Sequence, residues 1–262
     1  MSAPQLLNLS GLSTQLLGRP TYHFEEVDST QDMLKKMSGG VQQGTVVFAD
    51  HQHKGRGRNG HIWFSLPEPQ IYFSVLLAPK LSPPKFPMIN IAAGLAVIEA
   101  LEVCGIKDPK IKWPNDVYIQ QKKAAGILSE LLTSDVKERP FIILGIGINV
   151  SANLEDFPNE LRDRATALSL TGCTCDRLEL LCKVLNALES WFLMLEHGNF
   201  KLIQSEFSKK WLFHEKQIVV NMDSNRSLQG KAMGIDEDGA LLLQKSSSEI
   251  ARVFSGEVTL QT

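Results

Sequence analysis

The residues best suited to chemistry lie in one basic, glycine-rich stretch, residues 51–61 (HQHKGRGRNGH). Three glycines alternate there with Lys54, Arg56 and Arg58, and no carboxylate interrupts them. Glycine lets the backbone approach a ligand closely, successive N–H groups of such a loop can bind an anion, and arginine can fork onto a carboxylate or phosphate. The loop is therefore a candidate anion site, although a mobile basic loop without a ligand or a nucleic-acid contact has the same composition.

A second group of reactive side chains lies in residues 110–119 (KIKWPNDVYI). Pro114 cannot donate to a sheet ladder, so the pattern predicts two strands that meet at a bend rather than one central strand. The bend carries the cation Lys112, the amide Asn115 and the carboxylate Asp116. It therefore gathers groups suited to both charge neutralisation and proton transfer.

A third group is the Ser29-Thr30 pair, which follows an alternating strand at residues 22–27. Either hydroxyl makes a good N-cap for a helix that ends near Met37, a contribution of about 1 kcal/mol. Pure capping is one interpretation of the pair. The other is that one hydroxyl caps the helix while its neighbour meets a polar ligand at the helix N-terminus.

The elements around these groups predict an α+β fold. Buried strands are expected at residues 45–49 and 71–77, and a strongly apolar helix at 88–104. Residues 141–150 (FIILGIGINV) predict another strand, in which Gly145 and Gly147 leave room for something to pack against the sheet. Residues 151–175 are expected to form loops and turns. A helix is expected to begin at Asp176, and a second one to cover residues 200–211.

Short strands separated by turn signals begin near Glu215 and predict a small β-barrel of SH3-like size. The predicted architecture is thus a mixed central sheet flanked by helices, with one domain at residues 1–213 and a barrel at 214–262. Residues 1–21 have a weak helical pattern and are interpreted as a lead-in segment.

Composition narrows the class of protein. The chain has 262 residues, is 43% hydrophobic and 21% charged and has a net charge of −2, so no overall basicity draws it to nucleic acid or a membrane. The longest apolar candidate for a span, residues 89–101, is short and contains Glu99. No signal peptide is evident, and four cysteines do not make a disulfide scaffold. A reducing cytoplasmic location without membrane or nucleic-acid partners is therefore expected.

Five motifs follow one another along the chain in a defined order and spacing. They are Asp28-Ser29-Thr30, Gln52 with Gly55-Arg56-Gly57-Arg58-Asn59-Gly60 and Trp63, Lys112-Trp113-Pro114-Asn115-Asp116, Lys123-Ala124-Ala125-Gly126-Ile127-Leu128 and Gly145-Ile146-Gly147-Ile148-Asn149. Taken together, these motifs resemble the biotin protein ligase family. The resemblance continues into the short strands, where Gly234-Ile235-Asp236 and Gly239-Ala240-Leu241-Leu242 are similar to the small domain of that family. It implies a class II synthetase/biotin ligase-like fold in which residues 1–213 form the catalytic biotin/ATP-binding domain.

The resemblance implies a two-step ligase reaction. Biotin and ATP give biotinyl-5′-AMP and pyrophosphate, and a lysine of a carboxylase biotin carrier domain then attacks the adenylate. Mg²⁺ is expected to enter mainly through the ATP phosphates, so no protein metal ligands are predicted. The resemblance also allows a homodimer.

The roles implied by the resemblance fall into three sets. The expected catalytic residues are Lys123, Arg58 and Asp116. The expected biotin-binding residues are Ser29, Thr30, Gln31, Gln52, Arg56, Gly57, Arg58, Lys123 and Gly126. The expected ATP and adenylate contacts are Trp63, Lys112, Asn115 and Asn149.

Three other functions compete with this one. A lipoate-type ligase shares the fold and chemistry, but the Ser29-Thr30 pair and Gln52 favour biotin because neutral polar groups suit its ureido ring. A biotin-responsive DNA repressor is disfavoured, since 21 residues before the first strand are too few for a helix-turn-helix domain. A non-catalytic biotin-binding module predicts binding without pyrophosphate release.

Overall fold

The computed structural model describes residues 4–132, 140–223, 225–246 and 249–261. Its helices are α1 (Thr30–Met37), α2 (Pro87–Val103), α3 (Arg177–Glu196) and α4 (Phe200–Lys210). The first eight strands are β1 (Gln5–Leu7), β2 (Thr21–Val27), β3 (Val46–Gln52), β4 (Ile71–Leu77), β5 (Lys110–Lys112), β6 (Asp116–Ile119), β7 (Lys122–Leu132) and β8 (Phe141–Ile148). The last five strands are β9 (Gln217–Asn221), β10 (Ser227–Ile235), β11 (Leu241–Gln244), β12 (Ile250–Val253) and β13 (Glu257–Leu260).

These strands form two sheets. The eight-stranded sheet has the order β1-β2-β3-β4-β8-β7-β6-β5, and it is mixed because β2 and β3 are parallel whereas the other neighbours are antiparallel. The second sheet is antiparallel with the order β12-β11-β10-β9-β13. The predicted α+β class is confirmed. The domain boundary at residues 213 and 214 stays a prediction.

The parallel pairing of β2 and β3 brings two of the predicted site segments together. Val27 lies opposite Gln52 at the ends of these strands. Parallel strands end at the same edge of a sheet, so the start of α1 and the start of the basic loop emerge side by side. Residues that are more than twenty positions apart in the sequence thereby become neighbours.

Helix α2 forms the centre of the core. It packs against α3, and its residues are buried over most of its length. Together with the helical turn before it, the segment Pro83–Val103 is long and apolar enough to cross a membrane by length and composition, with 67% of that window buried in the protein. The expectation that no stretch reaches this length is therefore wrong, because the turn at residues 83–85 lengthens the helix. Its burial under α3 gives it the role of a core helix.

The N-terminal segment does not form the weakly predicted helix over the residues that the structure describes. β1 instead pairs antiparallel with β2 and forms one edge of the large sheet. The leucine spacing reflects burial of individual side chains, since Leu9 and Leu17 lie in the core whereas Leu6 is 71% exposed. The segment therefore adds an edge strand to the sheet and does not form the predicted amphipathic helix.

A buried carboxylate attaches this segment to α3. Glu189 is 7% exposed, and its oxygens accept hydrogen bonds from the backbone nitrogens of Gln15 at 2.6 Å, Leu16 at 2.8 Å and Leu17 at 2.8 Å. A buried ion is stable only when its lone pairs are satisfied. Glu189 is thus the acceptor that lets residues 15–17 turn inside the protein.

Removing this acceptor is expected to destabilise the protein. Glu189→Ala leaves three backbone N–H groups without their partner, and the expected loss in free energy of unfolding is about 3 kcal/mol. Urea denaturation measures it. Glu179→Ala on the same helix is the control, because Glu179 forms an exposed pair with Lys183 and such pairs contribute little. Equal stabilities of the two variants would contradict the assignment.

The small sheet packs directly on the large domain. The Trp113 indole nitrogen donates to the carbonyl of Gly239 at 3.1 Å, and Lys85 Nζ lies 3.1 Å from a carboxylate oxygen of Glu237. Trp113 is 2% exposed, so its N–H needs this partner. The predicted bend between β5 and β6 is therefore in contact with the turn between β10 and β11.

Candidate active site

One cavity of about 480 Å³ collects the predicted site residues. It lies over β7 and β8 and is bordered by the start of α1, the basic loop, the bend after β5 and the first residues of β13. The predicted residues that line it are Ser29, Thr30, Gln31, Gln52, Arg56, Gly57, Arg58, Trp63, Lys112, Asn115, Asp116, Lys123, Gly126 and Asn149. The structure therefore brings all of them together, while their individual roles toward a ligand stay predictions.

The start of α1 forms a neutral polar corner of the cavity. Ser29 is the N-cap, and its hydroxyl accepts from the backbone nitrogen of Asp32 at 3.5 Å. The Thr30 hydroxyl lies 3.1 Å from Gln52 Oε1 and 2.8 Å from Ser74 Oγ. Ser29 therefore caps the helix and Thr30 belongs to a hydrogen-bonded network on the cavity wall, while contact of a hydroxyl with a ligand stays a prediction.

Gln52 is held in one orientation by this network. Its Oε1 also accepts from the backbone nitrogen of Thr30 at 2.8 Å, which assigns the other end of the amide as Nε2. A Cβ on Gly55 would lie 3.2 Å from that nitrogen. The Nε2 donor of Gln52 therefore faces the beginning of the basic loop. A carbonyl oxygen of a ligand placed there could accept a hydrogen bond from it.

Gln31 covers the sheet beside this corner. Its Nε2 donates to the carbonyls of Leu128 at 3.1 Å and Ile143 at 3.4 Å. A Cβ on Gly145 would lie 3.0 Å from Gln31 Cδ. The glycine at 145 is thus explained by close packing of a side chain from α1, and the amide nitrogen of Gln31 is used within the protein.

Trp63 lies flat against the sheet on two other glycines. A Cβ on Gly126 would approach the indole ring to 2.5 Å, and one on Gly147 would approach it to 2.8 Å. Lys123 Nζ lies 5.4 Å from the ring centroid, a cation–π arrangement. The sequence left open what packs against the glycine-containing strand, and the structure places the Trp63 ring there.

An ion pair and a fixed amide occupy the centre of the cavity. Lys123 Nζ lies 2.7 Å from Asp116 Oδ1. Asn115 donates to the carbonyl of Ile127 at 2.8 Å and accepts from Arg58 at 3.3 Å. Burial lowers the pKa of the Arg58 guanidinium and the charge of Asp116 raises it, and an arginine remains protonated at neutral pH in either case. The centre thus presents two cations against one carboxylate.

Another part of the cavity wall carries Lys112 beside a half-buried phenol. Lys112 Nζ lies 5.4 Å from the centroid of the Tyr118 ring. Burial, with further contributions from Asp116 and Glu257, raises the pKa of Tyr118 well above its usual value, and Arg164 acts in the opposite direction. Tyr118 is therefore a neutral hydrogen-bonding group at physiological pH rather than a phenolate.

Asn149 lies at the end of β8 and is 5% exposed. Its Nδ2 donates to the carbonyl of Thr166 at 3.0 Å, and its backbone nitrogen donates to Ala124 at 2.9 Å. The side-chain amide thus connects the strand to the loop at residues 151–175. Its oxygen is the atom that can face a ligand.

The basic loop folds back on itself at the mouth of the cavity. The backbone nitrogen of Gly57 donates to His61 O at 2.7 Å, and that of Trp63 donates to Gly55 O at 2.9 Å. Arg56 does not point to an open anion site: its guanidinium forms ion pairs with Asp32 at 3.0 Å and with Glu130. Arg58, by contrast, reaches Asn115 inside the cavity.

The sequence interpretation missed several residues that line the cavity. Tyr118 had a usable signal, because it lies two positions after Asp116 on a strand and so shares its face. Arg164 had none: the loop that carries it runs beside β7, where Lys123 donates its backbone nitrogen to Arg164 O at 2.8 Å. Other lining residues outside the prediction are His61, Ile62, Phe157, Leu161, Glu257 and Val258.

The cavity wall offers few of the side chains that hold a metal ion. Among the residues that the structure describes, no group of three or more His, Cys, Asp or Glu side chains is arranged to hold one. Asp116 is a carboxylate on the cavity wall, and it is paired with Lys123. The described side chains thus fit a metal ion that arrives with its own ligands better than one held in a protein cage.

Comparison with known sequences gives two family matches. The Biotin/lipoate A/B protein ligase family matches residues 23–149, and the Biotin protein ligase C terminal domain matches residues 213–260. The first match contains all the predicted site residues. The second covers the five-stranded sheet.

Individual relatives agree with these matches. The chain is 34% identical over 258 residues to a bifunctional ligase/repressor BirA of Bacillus spizizenii, which covers 95% of this chain and 77% of that protein. It is 30% identical to a biotin–[acetyl-CoA-carboxylase] ligase of Mycobacterium tuberculosis, over 87% of this chain and 83% of that protein. Among solved structures, a biotin protein ligase from Aquifex aeolicus in complex with biotin and ATP is 37% identical, with a TM-score of 0.78 over 92% of this chain and 98% of that chain. From the cavity, the two family matches and these relatives it follows that the chain is a ligase of the biotin protein ligase family.

Proposed function

We propose that this protein joins biotin to ATP to give biotinyl-5′-AMP and pyrophosphate, and then transfers biotin to one lysine of a biotin carrier domain. In the first step a carboxylate oxygen attacks the α-phosphorus and the bond to pyrophosphate breaks. In the second, the lysine amine attacks the acyl carbon, AMP leaves and the amine gives up a proton. These substrates are supported by the Aquifex relative, which was solved with biotin and ATP, and by the Mycobacterium relative, a biotin–[acetyl-CoA-carboxylase] ligase.

The observation that carries the proposal is the division of the cavity into a neutral polar corner and a cationic centre. Thr30 and Gln52 in the corner offer hydroxyl and amide groups, which suit a neutral ureido ring. Lys123 and Arg58 in the centre suit anions. A vitamin with a polar neutral head and a carboxylate tail matches that order of groups.

The cations of the cavity are proposed to reduce charge repulsion in the first step. Two unit charges of the same sign at 4 Å repel by about 4 kcal/mol at an effective dielectric constant near 20, and here a carboxylate must approach a polyphosphate. Lys123, Arg58 and Lys112 line the same cavity and can neutralise both partners. Phosphoryl chemistry depends mostly on such positioning and charge stabilisation, so these three side chains are assigned to the first step.

Mg²⁺ is proposed to enter the site on the phosphates of ATP. It supplies additional positive charge at the phosphate oxygens when it is bound. The chain's own contribution is the cationic wall, in which Lys123 pairs with the carboxylate of Asp116.

Asp116 is assigned to the second step. The acceptor lysine must lose its proton, which at pH 7 costs about 4.6 kcal/mol for a pKa near 10.4. In the structure Asp116 is neutralised by Lys123 at 2.7 Å. An anionic ligand competes for Lys123, so ligand binding frees the carboxylate to accept the proton or to lower the pKa of the acceptor amine.

Asp116→Asn is therefore expected to slow transfer from preformed biotinyl-adenylate by about 100-fold at pH 7. The defect should shrink as the pH rises toward 10, because the acceptor lysine then loses its proton without help. Single-turnover transfer to a carrier domain across this pH range measures both effects. Transfer at the wild-type rate at pH 7 would remove Asp116 from this role.

The function as a whole is tested by incubating the protein with labelled ATP, biotin and a carrier domain, and measuring pyrophosphate, adenylate and protein-linked biotin. All three should form only when biotin is present. Replacing biotin by lipoate is the control for the related ligase chemistry and should give no adenylate. Binding of biotin without pyrophosphate release would contradict the proposal. The reducing cytoplasm is the proposed site of action, in keeping with the free cysteines.

A further inference from the structure

The side chain of Arg56 spans two structural elements that border the cavity. One guanidinium nitrogen lies 3.0 Å from Asp32 Oδ1 in the first turn of α1, and another contacts Glu130 on β7. Asp32 follows directly on the neutral polar corner at the start of α1, and Glu130 lies four positions after Gly126 on the same strand face. The bridge formed by Asp32, Arg56 and Glu130, here called the Arg56 bridge, thus ties the loop to both sides of the cavity.

Few other contacts restrain the middle of the loop, although its start is held by the backbone hydrogen bond from Lys54 to Asp28 O at 2.7 Å. Residues 54–61 contain three glycines, and an unrestrained glycine has more backbone freedom than any other residue. Lys54 and His61 at its two ends are exposed. Within the loop, the closing hydrogen bond from Gly57 to His61 holds only the tip. The Arg56 bridge and the hydrogen bond from Arg58 to Asn115 are the side-chain contacts that join this part of the loop to the rest of the domain.

The surroundings make this bridge stronger than an ordinary surface pair. The three side chains are between 36% and 41% exposed, whereas Lys54 and Asp28 at the start of the same loop form a pair in which the side chains are 75% and 48% exposed. The Arg56 side chain also makes two ion pairs, so it loses its conformational freedom only once for both. The two pairs on one loop therefore differ in burial and in the number of partners.

We propose that Asp32 and Glu130 are positioning residues that hold the basic loop over the cavity, and so set how tightly biotin is bound and how well the adenylate is retained. This inference rests on the proposed function. Neither carboxylate touches the reacting atoms; both act through Arg56, which sets the place of Gly57 and Arg58. The apparent affinity of a ligand falls in proportion to the fraction of molecules whose loop is in the binding-competent position.

The kinetic consequence is a separation of KM from kcat. Breaking the bridge lowers the fraction of molecules with a closed loop, and it leaves the chemistry within the closed state unchanged. Asp32→Asn and Glu130→Gln are each expected to raise the KM for biotin about threefold, and the double variant about tenfold, with kcat for adenylation nearly constant. The double variant should also release more adenylate into solution for each biotin transferred, because an open loop lets it escape before transfer.

Asp28→Asn is the matched control. It removes a carboxylate that also binds a cation of this loop, but at an exposed site, and it should leave KM and adenylate release at the wild-type values. Asp32→Glu should restore most of the affinity lost in Asp32→Asn, since it restores the charge. A merely structural role of Asp32 would not respond to charge in this way.

The experiment compares wild type, both single variants, the double variant and Asp28→Asn by steady-state pyrophosphate release, by chromatography of free adenylate and by hydrogen exchange of residues 54–61 without ligand. Faster exchange in the double variant together with raised KM supports the proposal. Unchanged KM, adenylate release and exchange in the double variant overturn it, as does a fall in kcat at constant KM. If wild type releases no pyrophosphate, the proposed function fails, and the exchange measurement still decides whether the bridge holds the loop.

Discussion

Replacing Lys123 by alanine is expected to lower kcat/KM for adenylate formation by about 10³-fold, the loss that follows removal of one preorganised charge-stabilising group. Lys123 Nζ contacts Asp116 at 2.7 Å in the middle of the cavity. Its removal eliminates a positive charge and leaves a carboxylate that repels the incoming anions. Pyrophosphate release with saturating ATP measures the effect.

Lys122→Ala is the matched control for this prediction. Lys122 is the preceding residue on β7, and its Nζ donates to the carbonyl of Arg162 at 2.9 Å instead of meeting Asp116. Both variants remove one lysine from the same strand, so overall charge and strand propensity change equally. Comparable rates for Lys123→Ala and Lys122→Ala would exclude Lys123 from the first step.

Adding a single methyl group at Gly126 is expected to lower activity by about 100-fold, because small misplacements of reacting groups carry that cost. The Cβ of Gly126→Ala would lie 2.5 Å from the Trp63 ring and 3.2 Å from Lys123 Cε. Both side chains have to shift, and both line the cavity. Steady-state assays measure the loss of activity, and urea denaturation measures the accompanying loss of stability, about 1–3 kcal/mol for overpacking.

A double variant identifies the clash as the cause. In a Trp63→Ala background the ring is absent, so Gly126→Ala should no longer destabilise the protein. Gly39→Ala is the control for the substitution itself, since nothing lies within 4 Å of a Cβ there. Equal destabilisation of Gly126→Ala with and without Trp63 would show that the ring is not the obstacle.

Local signals in the sequence predicted most of the frame of the site. The hydroxyl pair before α1, the apolar runs of β3, β4 and β8, and the proline that separates β5 from β6 each act over a few residues, so each can be interpreted without knowledge of the fold. The parallel pairing that brings Gln52 beside Thr30 was not predicted and comes from the structure. The resemblance to a family added the roles, and the structure added the common cavity.

Contacts between residues on different elements of the sheet could not be predicted from the sequence. The expected contact of Arg56 with biotin stays a prediction, and in the structure Arg56 pairs with Asp32 and with Glu130, a residue more than seventy positions away. Nothing in a run of alternating glycine and arginine indicates which carboxylate it meets. The same holds for Arg164, whose backbone joins β7 from the loop at residues 151–175. Such pairs depend on how elements pack, and periodicity carries no information on that.

The hydrogen bond from Trp113 to Gly239 restricts how chimaeras of this enzyme can be built. Gly239 has a φ of 79°, and a Cβ there would lie 3.3 Å from the backbone nitrogen of Met88, so the turn fits its neighbours closely. An exchange of the small sheet between relatives should therefore carry residues 236–240 together with matching residues at 85–88 and 113. A crossover placed between them would pair contact surfaces taken from two different proteins. The mismatch would lie at Trp113, close to Asn115 and Asp116 in the sequence.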